Sequence, residues 1–546
     1  MRTRRATRTI TLLLAATALA SCMSHLQPPV PSTPAPPPPP APAPPSPPPP
    51  PGAMEPLLQP FAGGGSFHMA ARAPSAPPPV PMAAGERYAK ISGNPVKSAA
   101  EERFSTFGVD VDTGSYANVR RFLNLGQRPP EDAVRVEEMV NYFRYDLPAP
   151  KDRSQPFSVT TDLAVTPWNP ETRLLRIALR GYDLPRAERP AANLVFLVDV
   201  SGSMGEPNKL SLVKATLELL ADQLRPQDRV SLVTYSTEAK LALAPTADRV
   251  QLKAAIEGLR ADGWTAGAEA IQIAYATARS ARIEGGVNRI ILATDGDFNV
   301  GVSDPEQLKE YVAKNRDDGI TLTTLGFGGG NYAEPTLEML ADAGNGNYAY
   351  IDSVSEARKV LVTELSSTLF TIAQDVKVQV EFNPAYVAEY RLIGYENRLL
   401  ATEDFKNDKV DAGDIGAGRQ VTALYEVALA GSKGRLLPEG RYGPPPAPGA
   451  DKGAELAFVE LRYKLPGETT SILVRQPISA LLGKAVGPPK NDFAFAAAVA
   501  AFGQKLRGGK YLGQFSNDDI VRLAGPQTDF HRQEFLQLVK TSSAAR

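Results

Sequence analysis

Residues 191–370 alternate two hydrophobic rhythms, and few architectures accommodate both. Short apolar runs rich in Val, Ile and Leu (NLVFLVDV, RVSLVTYS, NRIILATD, ITLTTLGFG, NYAYI) are separated by segments whose apolar residues recur every three to four positions. The segment after the first run is typical, with Leu210, Val213, Leu217, Leu220 and Leu224 on one side. Buried strands alternating with amphipathic helices predict a mostly parallel, doubly wound α/β sheet covered on both faces. Ligands of such sheets bind beyond the C-terminal strand ends. Two of these runs end in a carboxylate, Asp199 and Asp295, so both acids are expected at one rim.

The flanks differ. Residues 87–190 read as helices plus strands, including FSVTTDLAVT and TRLLRIALRGY. Within PPEDAVRVEEMVNYFRY, Val134, Met139, Val140 and Phe143 fall on the apolar side of a predicted helix. Residues 371–546 return to strands and close with three helices, beginning NDFAFAAAVAAFGQKLRG, SNDDIVRLAG and TDFHRQEFLQLVKTS. Strands on both sides of the α/β unit predict a β-rich domain that flanks it or receives it as an insertion.

The N-terminus carries a different message. Residues 1–21 combine early arginines (Arg2, Arg4, Arg5, Arg8) with an apolar run from Ile10 to Ala20, the anatomy of an export signal. The run is too short for a comfortable membrane span. Leu19-Ala20-Ser21-Cys22 resembles the lipobox of bacterial lipoproteins, which implies acylation of Cys22 and a lipid anchor. Cys22 is the only cysteine in 546 residues, so no internal disulfide can form. Ordinary cleavage after Ala20 is the alternative and would leave a free thiol. Met23 stands where an aspartate marks inner-membrane retention in some lipoproteins, so the expectation is the outer membrane, on its periplasmic side. Residues 22–86 form a tether: 17 of the 24 residues from 28 to 51 are proline, which favours extended polyproline II of about 70 Å.

Composition narrows the function classes. With 59 basic against 60 acidic residues there is no surplus to argue for nucleic acid, and no Walker lysine motif argues for a nucleotide. The chemistry concentrates at the strand ends. In DVSGSM, Asp199, Ser201 and Ser203 alternate, so their side chains converge; DGWTAG places Thr265 in a loop before a helix, and LATDGDFN supplies Asp295. Two carboxylates and three hydroxyls are an oxygen-only set. It suits a small hard cation and offers no imidazole or thiolate for zinc or copper.

These motifs resemble the metal-ion-dependent adhesion site of von Willebrand factor type A domains, with Asp199, Ser201, Ser203, Thr265 and Asp295 in the five motif positions. The resemblance implies Mg²⁺, with Mn²⁺ as a substitute, and a protein partner that offers a carboxylate to the ion. STFGVDVDTGSYANVRRFLN, DAVRVEEMVNYF and DAGDIGAGRQVTALYEV further resemble a bacterial group of exported type A proteins. The chain is thus expected to be an adhesion-type binding protein and not an enzyme. Two other readings stay open: an envelope hydrolase using Ser201 or Ser203, and a passive envelope scaffold. The hydrolase needs a base; His25 and His68 fall in the tether, His531 on a distant helix, and Lys209 is near only in sequence. DVDTGS (110–115) starts like an EF-hand loop but has Gly114 at a ligand position, and GFGGGN (326–331) lacks the spacing of a phosphate loop; both read as structural turns. Trp264 departs from the family pattern, which favours a small residue before the threonine.

Overall fold

A computed structural model describes residues 85–265, 267–296, 305–330, 332–438, 455–480 and 486–545. The export signal, Cys22 and the expected tether through residue 84 lie outside the described residues, as do Asp297 and most of the LPEGRYGPPPAPGADKGAE loop; Glu86, expected in the tether, is instead ion-paired with Arg121 at 2.9 Å.

The alternating region folds into a six-stranded sheet. Its order is Tyr348–Ile351, Thr321–Phe327, Val287–Thr294, Ala192–Asp199, Arg229–Tyr235, Ala239–Thr246. The first four pairings are parallel and the last is antiparallel. Every residue of Ala192–Asp199 is buried, as expected of a strand covered on both faces. Leu194, Phe196 and Val198 pack into a cluster with Val213, Leu217 and Leu220 of helix Leu210–Ala221. Val195 and Leu197 point the other way, onto Ala270, Ile271, Ala274 and Tyr275 of helix Gly267–Ser280. The expected doubly wound sheet is therefore present.

Sequence pattern missed the edge strand Ala239–Thr246, whose residues are mostly half-buried or exposed. With no buried face on the core side, AKLALAPT carries no strong period-2 signal. It also over-extended one helix: the stretch from Glu131 begins as a short 3₁₀ turn and is α-helical only over Val136–Asn141. Val134, Met139, Val140 and Phe143 are nonetheless all buried.

The flanking strands interleave across the insertion. Asn169–Gly181, from before the α/β unit, pairs antiparallel with Gln420–Leu429, from after it, with Leu175 opposite Tyr425. Phe104–Gly108 pairs with Thr371–Phe382 in the same way. Two sheets result, one of order Lys97–Ser98, Val387–Ile393, Gln420–Leu429, Asn169–Gly181, Phe157–Thr166, the other of order Ile415–Gly416, Thr371–Phe382, Glu455–Lys464, Ile472–Ser479. They share one core: Ile177, Leu179 and Ala423 meet Val378, Val380 and Val459, and Phe157 stacks edge-on to Tyr463 at 5.1 Å. The α/β unit is thus inserted in a β-sandwich. The outer face of the first sheet is covered by helix Asn491–Leu506, whose Phe495, Val499 and Phe502 pack with Leu174, Ala178 and Leu424.

Two arginines fix the inserted unit to its host. Arg135, 1% exposed, lies 3.1 Å from Glu334 and 2.7 Å from Glu338, both on helix Glu334–Ala343 of the α/β unit, and 3.2 Å from Glu138. Arg398 reaches the same helix at Glu338 (3.2 Å) and Asp342 (2.6 Å). It also contacts Asp112 at 3.1 Å, and Asp112 accepts a hydrogen bond from the Tyr348 N–H. The DVDTGS carboxylates are thereby committed to joining the two parts. Among the described residues, no three His, Cys, Asp or Glu converge as a metal site.

Candidate metal site

Strand Ala192–Asp199 ends in a tight turn, with a short 3₁₀ turn at Gly202–Gly205 that leads toward helix Leu210–Ala221. The turn folds its polar side chains inward. Asp199, fully buried, accepts from the Ser201 N–H at 2.9 Å through one oxygen and from the Thr294 hydroxyl at 3.0 Å through the other. The Ser201 and Ser203 hydroxyls are 3.1 Å apart. Asp295, also fully buried, follows the adjacent parallel strand Val287–Thr294. The loop bearing Thr265 is clamped onto this turn by its backbone: Asp262 N–H donates to Val200 O at 2.8 Å, and Gly202 N–H donates to Gly263 O at 2.9 Å. The structure thus gathers Asp199, Ser201, Ser203 and Asp295 at one rim and brings the Thr265 loop against it, with Thr265 half-buried.

The electrostatics suit a cation. Burial pushes the Asp199 carboxyl up to about 6, and the nearby charge of Asp295 adds to the rise; hydrogen bonds from Ser201 and Thr294 oppose it. Tyr235, opposite Asp199 on the next strand and fully buried, has its phenol driven well above the ordinary range by burial and by Asp199. Carboxylates so poorly solvated gain from a positive charge. Two carboxylates plus hydroxyls are the ligands Mg²⁺ or Mn²⁺ prefers, so these residues fit such an ion.

Sequence reasoning missed one member of the rim. Lys209, 2% exposed, places its ammonium 3.0 Å from Asp295 and 3.1 Å from Glu206. Its stem runs against Gly328, where an added Cβ would come within 2.6 Å of the lysine chain and φ is +69°. The GFGGGN loop is therefore glycine-rich partly because Lys209 needs the room. Proximity in sequence singled Lys209 out, but only as a base for a serine. His531 is placed elsewhere: its Nδ1 lies 3.3 Å from the Tyr142 hydroxyl, on helix Phe530–Thr541.

The sheet, its rim and the order of the donor residues define a von Willebrand factor type A domain. The family profile of that name matches residues 193–364, a second described as von Willebrand factor matches 82–176, and one described as Uncharacterized protein YfbK, C-terminal, matches 367–544. The chain is 46% identical over 467 residues to "Uncharacterized protein YfbK" of Escherichia coli (strain K12), an overlap of 83% of this chain and 80% of that protein. It belongs to the YfbK family of type A domain proteins. Among solved structures, a von Willebrand factor type A protein from Catenulispora acidiphila is 16% identical with a TM-score of 0.39, covering 73% of this chain and 91% of that one. Proximal thread matrix protein 1 from the mussel byssus, solved with a zinc-occupied adhesion-site motif, is 20% identical with a TM-score of 0.27 and covers 34% of this chain and 46% of that one.

Proposed function

We propose that the type A domain holds one Mg²⁺ between Asp199, Ser201, Ser203, Thr265 and Asp295 and uses it to grip a carboxylate of a protein partner. The observation that carries this reading is the meeting of Asp199, Ser201 and Ser203 in one turn with Asp295 on the adjoining strand end. Asp199, Asp295, Glu206, Lys209 and a divalent ion sum to a charge of about zero, so a further carboxylate can complete the octahedron without strong repulsion. Mn²⁺ is expected to substitute for Mg²⁺ there.

In this reading the protein is a binding module and not an enzyme. The Ser201 hydroxyl is paired with Ser203, and the nearby Lys209 ammonium is engaged with Asp295 and Glu206, so neither serine faces a free base. In this reading the export signal and Cys22 support a lipid anchor on the periplasmic side of the bacterial outer membrane, with the proline tether as a spacer.

The test is capture of envelope proteins with and without Mg²⁺, using wild type and Asp295→Ala. Capture that needs both the ion and Asp295 supports the reading. Capture indifferent to chelator and to Asp295→Ala supports a passive scaffold. Ester or peptide turnover abolished by Ser201→Ala and unaffected by chelator supports a hydrolase.

A further inference from the structure

The most exposed large apolar side chain among the described residues stands beside this rim. Trp264 is 84% exposed, and it directly precedes Thr265. An indole left in water is unusual, because burying it is worth more than burying almost any other side chain. Trp168, the other tryptophan, is 9% exposed and donates to Glu426.

The backbone that presents Trp264 is held on both sides. Its own N–H donates to the Thr237 hydroxyl at 3.1 Å, and Thr237 lies in the turn between strands Arg229–Tyr235 and Ala239–Thr246. The preceding residue, Gly263, sits at φ +79° with its N–H on the Asp262 carboxylate at 2.8 Å and its carbonyl accepting from Gly202. An added Cβ there would run into Thr237, so this conformation demands glycine. The loop is therefore tied to the metal-binding turn on one side and to the neighbouring hairpin on the other. Little backbone freedom remains to be lost when a ligand binds, which is the condition under which an aromatic side chain becomes an interface anchor.

We propose that Trp264 is the specificity-determining contact of the rim: it packs on an apolar or aromatic side chain that lies one or two residues from the carboxylate gripped by the ion. The partner is thus an acidic segment with an adjacent hydrophobic residue. This rests on the metal-bridged reading above and adds what that reading lacks, a criterion by which one surface carboxylate is chosen over others. The ion supplies the acidic half of the requirement, because a hard cation with a vacant position takes a carboxylate oxygen. The reach supplies the other half. Trp264 and Thr265 are one residue apart, about 3.8 Å between Cα atoms, and residues one or two along an extended ligand stand about 3.3–7 Å from the acid.

The test is selection from a displayed library of seven-residue peptides with a fixed central aspartate, on wild type, Trp264→Ala and Trp264→Phe, each with Mg²⁺ and with chelator. Wild type is expected to enrich Phe, Tyr, Trp, Leu or Met within two positions of the aspartate in Mg²⁺ only. Trp264→Ala is expected to lose that enrichment and to bind the winning peptides at least about 10-fold more weakly, whereas Trp264→Phe retains most of the binding. Mn²⁺ uptake should be the same in all three, since Trp264 is not one of the five ligand positions. Equal enrichment and affinity in Trp264→Ala would overturn the role of Trp264 and leave the metal-bridged reading intact. Enrichment that survives chelator, or none in any variant, would overturn the metal-bridged reading and the inference with it.

Discussion

The ammonium of Lys209 lies 3.0 Å from the Asp295 carboxylate, with the lysine 2% exposed and the aspartate fully buried. A covalently attached cation thus shares a carboxylate with the ion the rim is suited to hold. The two positive charges oppose each other, and both attract an incoming acid.

Replacing Lys209 by Met keeps the stem length and removes that charge. Charges a few ångströms apart in such a setting interact by more than 1 kcal/mol. Mn²⁺ should therefore bind Lys209→Met about 5-fold or more tightly than wild type, and captured carboxylate ligands should bind more weakly. Isothermal titration with Mn²⁺ checks the first; unchanged or weaker metal affinity would show that Lys209 does not bear on the ion. Without metal the variant should also melt lower, because Asp295 loses the buried ion pair with Lys209.

Arg135 contacts Glu138, Glu334 and Glu338, all with side chains at most 9% exposed. Arg135→Met leaves those carboxylates without their shared guanidinium. The expected loss is about 3–5 kcal/mol of unfolding free energy, read from denaturant curves. A loss below 1 kcal/mol would mean that the Arg135 network is not needed to seat the inserted domain on the sandwich.

Glu137, 2% exposed, is pushed up to about 8 by burial, with the charges of Glu396 and Asp110 adding and Arg135 opposing. Its folded-state value exceeds the unfolded one near 4.5, so the folded state holds the proton longer. The resulting stability is full below about pH 4.5 and is lost as pH rises to about 8, at up to about 1.4 kcal/mol per pH unit. Glu137→Gln should remove that slope. Unfolding midpoints at pH 5, 6, 7 and 8 give the comparison; parallel profiles for wild type and variant would contradict it.

The sheet was legible because each of its inner strands is buried on both faces and each helix on one, which writes two distinct periods into the sequence. Asp199 and Asp295 were legible for the same reason: each ends such a strand. The edge strand Ala239–Thr246 was not, since exposure removes the selection for alternation. Lys209 was visible as a residue but not as a partner of Asp295, because their pairing spans 86 positions and depends on a glycine loop that only the fold brings near. The Arg135 and Arg398 networks were hidden likewise: charged residues in amphipathic segments read as solvated until the insertion buries them.

Uptake of a divalent ion by the rim is the property on which partner capture depends. Mn²⁺ binding followed by electron paramagnetic resonance, on wild type and on Asp199→Ala, Ser201→Ala and Asp295→Ala, tests this most directly. The predicted result is one ion per wild-type chain at or below millimolar Mn²⁺, displaced by Mg²⁺, and no specific uptake in the two aspartate variants, with Ser201→Ala weakened. Wild type that takes up no ion at millimolar Mn²⁺, or aspartate variants that bind it as well as wild type, would contradict it.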